Sequence, residues 1–207
     1  MTFSEQYLAD VQSVIRRLDG EALERLASSL AAVRDRNGRI LVAGLGGGAS
    51  LAAHAASDLR MTADLEAYAF ADNVPELTAR INDYGWNTAI TGWLKATHFS
   101  RRDSLLVFSV GGGSVEKGVS VPLVEAMKYG REIGSEIYSI VGPSGGFAKE
   151  ISDICILIPA ERGERLTPIT ESVQAVVLHL LVSHPTLKRR MNRWEYIYSS
   201  STENKQP

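Results

Sequence analysis

His54 and Asp58 stand four residues apart in "GLGGGASLAAHAASDLRM", residues 44–61. On a helix that spacing puts both side chains on one face. Such a pair can hold a metal ion or act as acid and base. A second imidazole, His179, lies in "PITESVQAVVLHLL", residues 168–181, with Glu171 and Gln174 in the turns before it. Groups of these types can serve as general acids and bases or as metal ligands.

Two glycine-rich stretches share one design. "RILVAGLGGGAS" (39–50) and "LLVFSVGGGS" (105–114) each run from an apolar strand pattern into bare backbone. Successive glycine amides can converge on an anion, and a following helix adds its positive end. The candidate anion-binding residues are Gly46, Gly47, Gly48 and Ser50 in the first turn. In the second they are Ser109, Val110, Gly111, Gly112, Gly113 and Ser114. Neither turn is a dinucleotide fingerprint or a Walker motif, and the site needs no lysine.

Short apolar runs alternating with helical patterns must position these groups. The strand candidates are 39–43, 65–70, 104–110, 136–141 and 153–158; the helix candidates are 49–61, 74–82, 87–97, 120–133 and 169–183. Strands without polar alternation are buried on both faces, as in a parallel sheet covered by helices. The expected class is therefore α/β, a doubly wound five-stranded parallel sheet with an N-terminal helical extension. Residues 4–36 read as amphipathic helix broken near Asp19-Gly20, with Leu8, Val11, Val14, Ile15 and Leu18 on one stripe. In such sheets ligands sit where loops leave the carboxyl ends of the strands, where both glycine turns fall. The expected division is 1–37 as a helical oligomerisation segment, 38–190 as the ligand-binding domain and 191–207 as a tail. The end of that tail, "YSSSTENKQP", reads as disordered.

Composition narrows the function. With 207 residues, 44% hydrophobic and 22% charged, the chain reads as one globular domain. A formal net charge of -2 and scattered Lys and Arg give no electrostatic case for nucleic acid. Cys155, the single cysteine, excludes disulfide scaffolds and thiolate metal clusters and reads as a buried thiol. No stretch approaches the roughly 20 apolar residues of a membrane span. The N-terminus lacks a basic start and apolar core, so a cytoplasmic protein is expected.

The order of motifs resembles the sugar isomerase (SIS) domain family. Within it, the chain is similar to the bacterial sedoheptulose 7-phosphate isomerases (phosphoheptose isomerases) and their non-catalytic relative, the DnaA initiator-associating protein. The resemblance spans residues 5 to 185. It rests on Gly44-Leu45-Gly46-Gly47, His54, Asn82-Asp83-Tyr84-Gly85-Trp86-Asn87, Ser109 to Ser114, and Gly142-Pro143-Ser144-Gly145-Gly146. Val110 and Gly111 stand where the family usually has Thr and Ser, so the phosphate grip leans on backbone amides. Asp58 replaces a Glu. In the late helix the family's Gln and His fall on Thr170 and Leu178, which leaves the neighbouring His179 turned by about 100°.

The resemblance implies a phosphosugar aldose–ketose isomerase working through an enediol, with sedoheptulose 7-phosphate converted to D-glycero-D-manno-heptose 7-phosphate. It implies Asp58 as base, His179 or His54 as acid partner, and zinc as a possible cofactor at His54 and Asp58. Asn82 and Asp83 would reach sugar hydroxyls, with Glu171 and Gln174 as further substrate contacts. The assembly it implies is a homotetramer with sites at subunit boundaries. The alternative is a non-catalytic SIS module that binds a phosphosugar or bridges a partner protein.

Overall fold

The computed structural model describes residues 1–161 and 163–203, with side chains to residue 198. Five strands form one sheet: β1 (Ile40–Gly44), β2 (Ala67–Ala69), β3 (Ser104–Ser109), β4 (Glu136–Val141) and β5 (Ile154–Leu157). All pairings are parallel, in the order β2-β1-β3-β4-β5. The chain starts in the interior at β1, steps outward to β2, then crosses back to β3. The winding direction therefore reverses between β1 and β3, and a crevice opens at that switch point. Gly44 at the end of β1 pairs in register with Phe108 near the end of β3. Both glycine turns thus leave neighbouring strands on the same rim.

β1 and β3 are buried along their whole length, as a sheet with two covered faces demands. Val42, Leu106, Phe108 and Ile140 point to one layer, and Leu41, Leu105, Val107 and Ile137 to the other. The first layer is covered by α2 (Gly20–Asp35), α3 (Gly47–Ala63) and α8 (Leu166–Ser183). The second is covered by α5 (Ala89–Ala96), α6 (Val121–Glu132) and α7 (Gly146–Ile151), with α4 (Val74–Tyr84) outside α5. By length and composition α8 is apolar enough to cross a membrane. Its Ile169, Val173, Val177 and Leu181 instead pack into the core of the first layer.

The N-terminal helical region breaks where Asp19 caps α2 through the Ala22 amide. Its two helices differ in burial. Leu23, Leu26, Leu30 and Val33 of α2 join the main core, whereas α1 (Phe3–Arg16) buries only Val14 and exposes Phe3, Leu8 and Ile15. The expected disorder from residue 198 is corrected through residue 203, because a last helix, α9, spans Arg193–Glu203. Residues 204–207 lie outside the described residues. Three short elements were not foreseen: α7, a 3-10 turn at Phe70–Asp72 after β2, and a 3-10 turn, Trp86–Thr88, that opens the helix expected at 87–97.

At the opposite end of the sheet Asp103 locks β1 to β3. Its carboxylate accepts from the Arg39 guanidinium at 2.9 Å and from the backbone amides of Arg39 and Ser100. Burial alone would raise its pKa; the Arg39 hydrogen bond and the two amides outweigh that and hold it below the ordinary carboxyl value. A depressed folded pKa contributes stability that is whole above the unfolded value near about 3.9 and lost as pH falls through the folded one. Asp103→Asn is therefore expected to lower stability by about 2 kcal/mol at neutral pH. The gap from wild type in urea midpoint should close in the acid range; a gap constant with pH would refute the account.

Candidate active site

The first glycine turn is built from contacts that a side chain would block. Gly46 takes a φ of 59° and ends the strand-to-helix bend, and a Cβ on Gly48 would lie 2.8 Å from the Phe108 carbonyl oxygen. The first turn of α3 therefore rests against the end of β3. A methyl group on Gly47 would fall onto the carboxylate of Glu171, so that side chain of α8 lies over the same helix start. The positive end of α3 favours a carboxylate there.

The second turn is tied to the Gly142–Gly146 loop after β4. Gly142 donates to Val110 O, Phe147 to Gly113 O and Ala148 to Gly112 O, each at 3.0 Å. The Ser109 hydroxyl accepts from the Gly112 amide at 3.1 Å and is buried. Ser114 opens a small hairpin: it exchanges both backbone bonds with Val119, and its hydroxyl accepts from the Lys117 amide at 3.2 Å. Both hydroxyls thus support the turn's own backbone. A crevice of about 660 Å³ runs along the turn, lined by Gly111, Gly113, Ser114, Lys117, Ser144 and Phe147 among others.

Some two turns down α3 from Gly47, His54 and Asp58 face the late helix. His54 Nε2 lies 3.3 Å from Asp58 Oδ2, and His179 Nε2 lies 3.4 Å from His54 Nε2 and 3.8 Å from Asp58 Oδ2. The imidazole rings meet edge to face at 71°, with centroids 5.0 Å apart. At most one proton can lie between the two Nε2 atoms, so one ring donates and the other accepts unless both face a cation. Zinc with bonds of about 2.0–2.1 Å in tetrahedral geometry sets its donor atoms about 3.3–3.4 Å apart. The three side chains fit such an ion, as two nitrogens and one oxygen with a fourth position left open.

His179 therefore reaches its partners despite the expected misalignment. Thr170 and Leu178, matched from sequence to the family's Gln and His, are buried against the core; Glu171 and His179 face α3 instead. The apolar stripe Ile169–Val173–Val177–Leu181 is the signal that fixes this rotation, and Glu171 and His179 lie off it. Gln174 is corrected from substrate contact to internal tie: it is fully buried, donating to Ser109 O at 3.1 Å and Ile140 O at 2.7 Å. Ser50 is exposed on the first turns of α3. Asn82 and Asp83 are exposed and bonded to each other at 2.8 Å near the end of α4, whose packing partners are α5 and the flanking 3-10 turns. The structure does not gather them with His54, Asp58 and His179.

No family model matches the chain. Among curated proteins it is 27% identical over 184 residues to the phosphoheptose isomerase of Helicobacter pylori (strain ATCC 700392 / 26695), covering 86% of this chain and 90% of that one. With the phosphoheptose isomerase of Rhodospirillum rubrum it shares 29% identity over 165 residues, 77% of this chain and 82% of the relative. The solved phosphoheptose isomerase of Neisseria gonorrhoeae superposes with a TM-score of 0.72 at 24% identity, covering 88% of this chain and 98% of the other. That likeness supplies the fold, and the curated relatives supply similarity along nearly the whole length. Over most of its length the chain is thus similar to curated phosphoheptose isomerases, and it shares the fold of a solved one.

Proposed function

We propose that the chain is an aldose–ketose isomerase acting on a seven-carbon sugar phosphate, interconverting sedoheptulose 7-phosphate and D-glycero-D-manno-heptose 7-phosphate. The observation that carries this reading is the meeting of His54, Asp58 and His179 between α3 and α8, with His54 about two helical turns along α3 from the first glycine turn. The second turn holds the phosphate through main-chain amides, while Glu171 over Gly47 keeps an anion away from the first turn at the start of α3, against the expectation for Gly46, Gly47 and Gly48. Asp58 takes a proton from C1 of the ketose while a protonated imidazole, His179 or His54, gives one to O2. The resulting enediol then receives a proton at C2 as O1–H yields its proton to the imidazole, leaving an aldehyde at C1.

The same three side chains are suited to zinc, which when bound would supply positive charge for the oxygens of the enediol. His54 and His179 are 47% and 55% exposed at their side chains, with Val176, Leu180 and Met61 exposed on the same pair of helices. Proton transfer from carbon works best shielded from bulk water. A second copy docked over these side chains and over the apolar face of α1 would provide the shield, in keeping with a tetramer. A cytoplasmic setting suits a phosphorylated sugar as substrate.

Incubation with sedoheptulose 7-phosphate in deuterated buffer tests the proposal. The expected result is deuterium at C1 of the ketose and C2 of the aldose, read by proton and carbon NMR. Tight binding without any exchange would overturn it and leave a phosphosugar-binding module.

A further inference from the structure

The backbone of the second glycine turn is anchored carbonyl by carbonyl. Val110 O, Gly112 O and Gly113 O accept from the amides of Gly142, Ala148 and Phe147, and Gly111 O faces the Ser144 hydroxyl at 3.4 Å. In a planar trans peptide the carbonyl of one residue and the N–H of the next point in opposite directions. Tying the carbonyls back therefore turns the following amides outward. Those of Gly111 and Gly113 have no protein acceptor among the described residues. The first carbonyl of the series, Ser109 O, is held differently. Its partner is Gln174 on α8, the helix that also carries Glu171 and His179.

Gln174 is fully buried and spends both N–H bonds on strand ends, Ser109 O at 3.1 Å and Ile140 O at 2.7 Å. Its Oε1 has no partner among the described residues, nor has Thr170 Oγ1 one helical turn earlier. Leaving a buried acceptor unpaired is costly, so packing alone would favour an apolar residue here. The donors account for the amide.

We infer that Gln174 is a positioning residue: it fixes the anion-gripping turn at residues 109–113 in register with the helix that presents Glu171 and His179. The inference rests on the proposed phosphosugar reading and adds to it a specific source of substrate affinity. A turn with Val110 and Gly111 at its inner positions has few hydroxyls with which to adapt. Its grip depends on amides already pointing the right way, and Gln174 sets the first peptide of the series.

Gln174→Met keeps the size and removes both donors; Gln174→Asn keeps the amide but falls a methylene short. In either variant, KM for sedoheptulose 7-phosphate should rise about fivefold with kcat within about twofold, since one lost hydrogen-bond tie is worth about 1 kcal/mol. Inorganic phosphate, titrated by calorimetry, should weaken by a similar factor. A side chain at Gly111 meets open space, so adding Gly111→Ser to the Met variant supplies a hydroxyl to the grip and should recover at least about threefold of the affinity. A folded variant with unchanged KM and phosphate affinity would overturn the inference. So would a loss confined to kcat, which would place the effect at His179 rather than at the turn. If one variant fails to fold, the other carries the test. Should the wild type bind phosphate but fail to isomerise, a loss of phosphate affinity in the variant still upholds Gln174 while the isomerase reading falls.

Discussion

Replacing Asp58 with Asn is expected to lower kcat for sedoheptulose 7-phosphate by about 10³-fold, within the range typical of a lost general base. The argument is geometric. The Asp58 carboxylate is the group within reach of both imidazoles, at 3.3 Å from His54 and 3.8 Å from His179. Asn keeps the shape and a hydrogen-bond acceptor but cannot hold a proton taken from carbon. The Asp58 side chain is 23% exposed beside a more exposed His54, so the pair should contribute less than about 1 kcal/mol to stability. Loss of activity should therefore come without a matching fall in melting temperature, and KM should change little because, on the proposed reading, the phosphate is gripped at the second turn. Zinc added to the wild type should shift the ring resonances of His54 and His179 but not those of His98 and His184; in the Asn variant this response should weaken. If Asp58→Asn retained turnover while Glu171→Gln abolished it, the carboxylate over Gly47 would be the base instead.

The sheet was legible because its residues carry a strong, local signal. A buried parallel strand reads as a run such as "SLLVFS", and β4 is found at 136–141 as expected. The two glycine turns were legible for a related reason: three consecutive glycines after such a strand have few structural uses. The His54–Asp58 pair needed only helical periodicity. What failed was rotation. Thr170 and Glu171 are neighbours, and deciding which of them faces α3 depends on how α8 beds onto the sheet, a long-range packing choice. Thr170 is fully buried, and its hydroxyl has no partner among the described residues, an arrangement that polarity alone argues against. Gln174 was misread because a buried glutamine serving two strand carbonyls leaves no periodic trace. α9 was missed because "SSSTEN" carries turn-forming residues, although Trp194, Tyr196, Ile197 and Tyr198 fill its first half.

On the proposed reading the site has two parts with separate demands: side-chain chemistry between α3 and α8, and a backbone surface at the sheet rim. Substitutions of the first kind should act on turnover and those of the second on affinity. α8 links the two, through His179 and Glu171 on its outer face and Gln174 on its inner face.

The strongest demand on backbone falls at Gly112. A methyl group there would overlap the carbonyl of Gly145, and the residue holds a φ of 73°, which side chains rarely adopt. On the other side, a methyl on Gly146 would overlap the carbonyl of Gly111, so the two loops meet as bare backbone from both directions. Gly112→Ala is expected to cost about 3 kcal/mol in all, from the left-handed backbone and the displaced neighbour together. The displacement breaks the Gly112 O–Ala148 N bond that turns the Gly113 amide outward, so phosphate affinity should fall by at least about tenfold. Gly111→Ala is the control, because a methyl group there meets open space and its φ is not in the left-handed region. Urea midpoints and phosphate titrations of the two variants decide the matter. If Gly112→Ala matched Gly111→Ala in both, the close approach of the two loops would not be what shapes the grip.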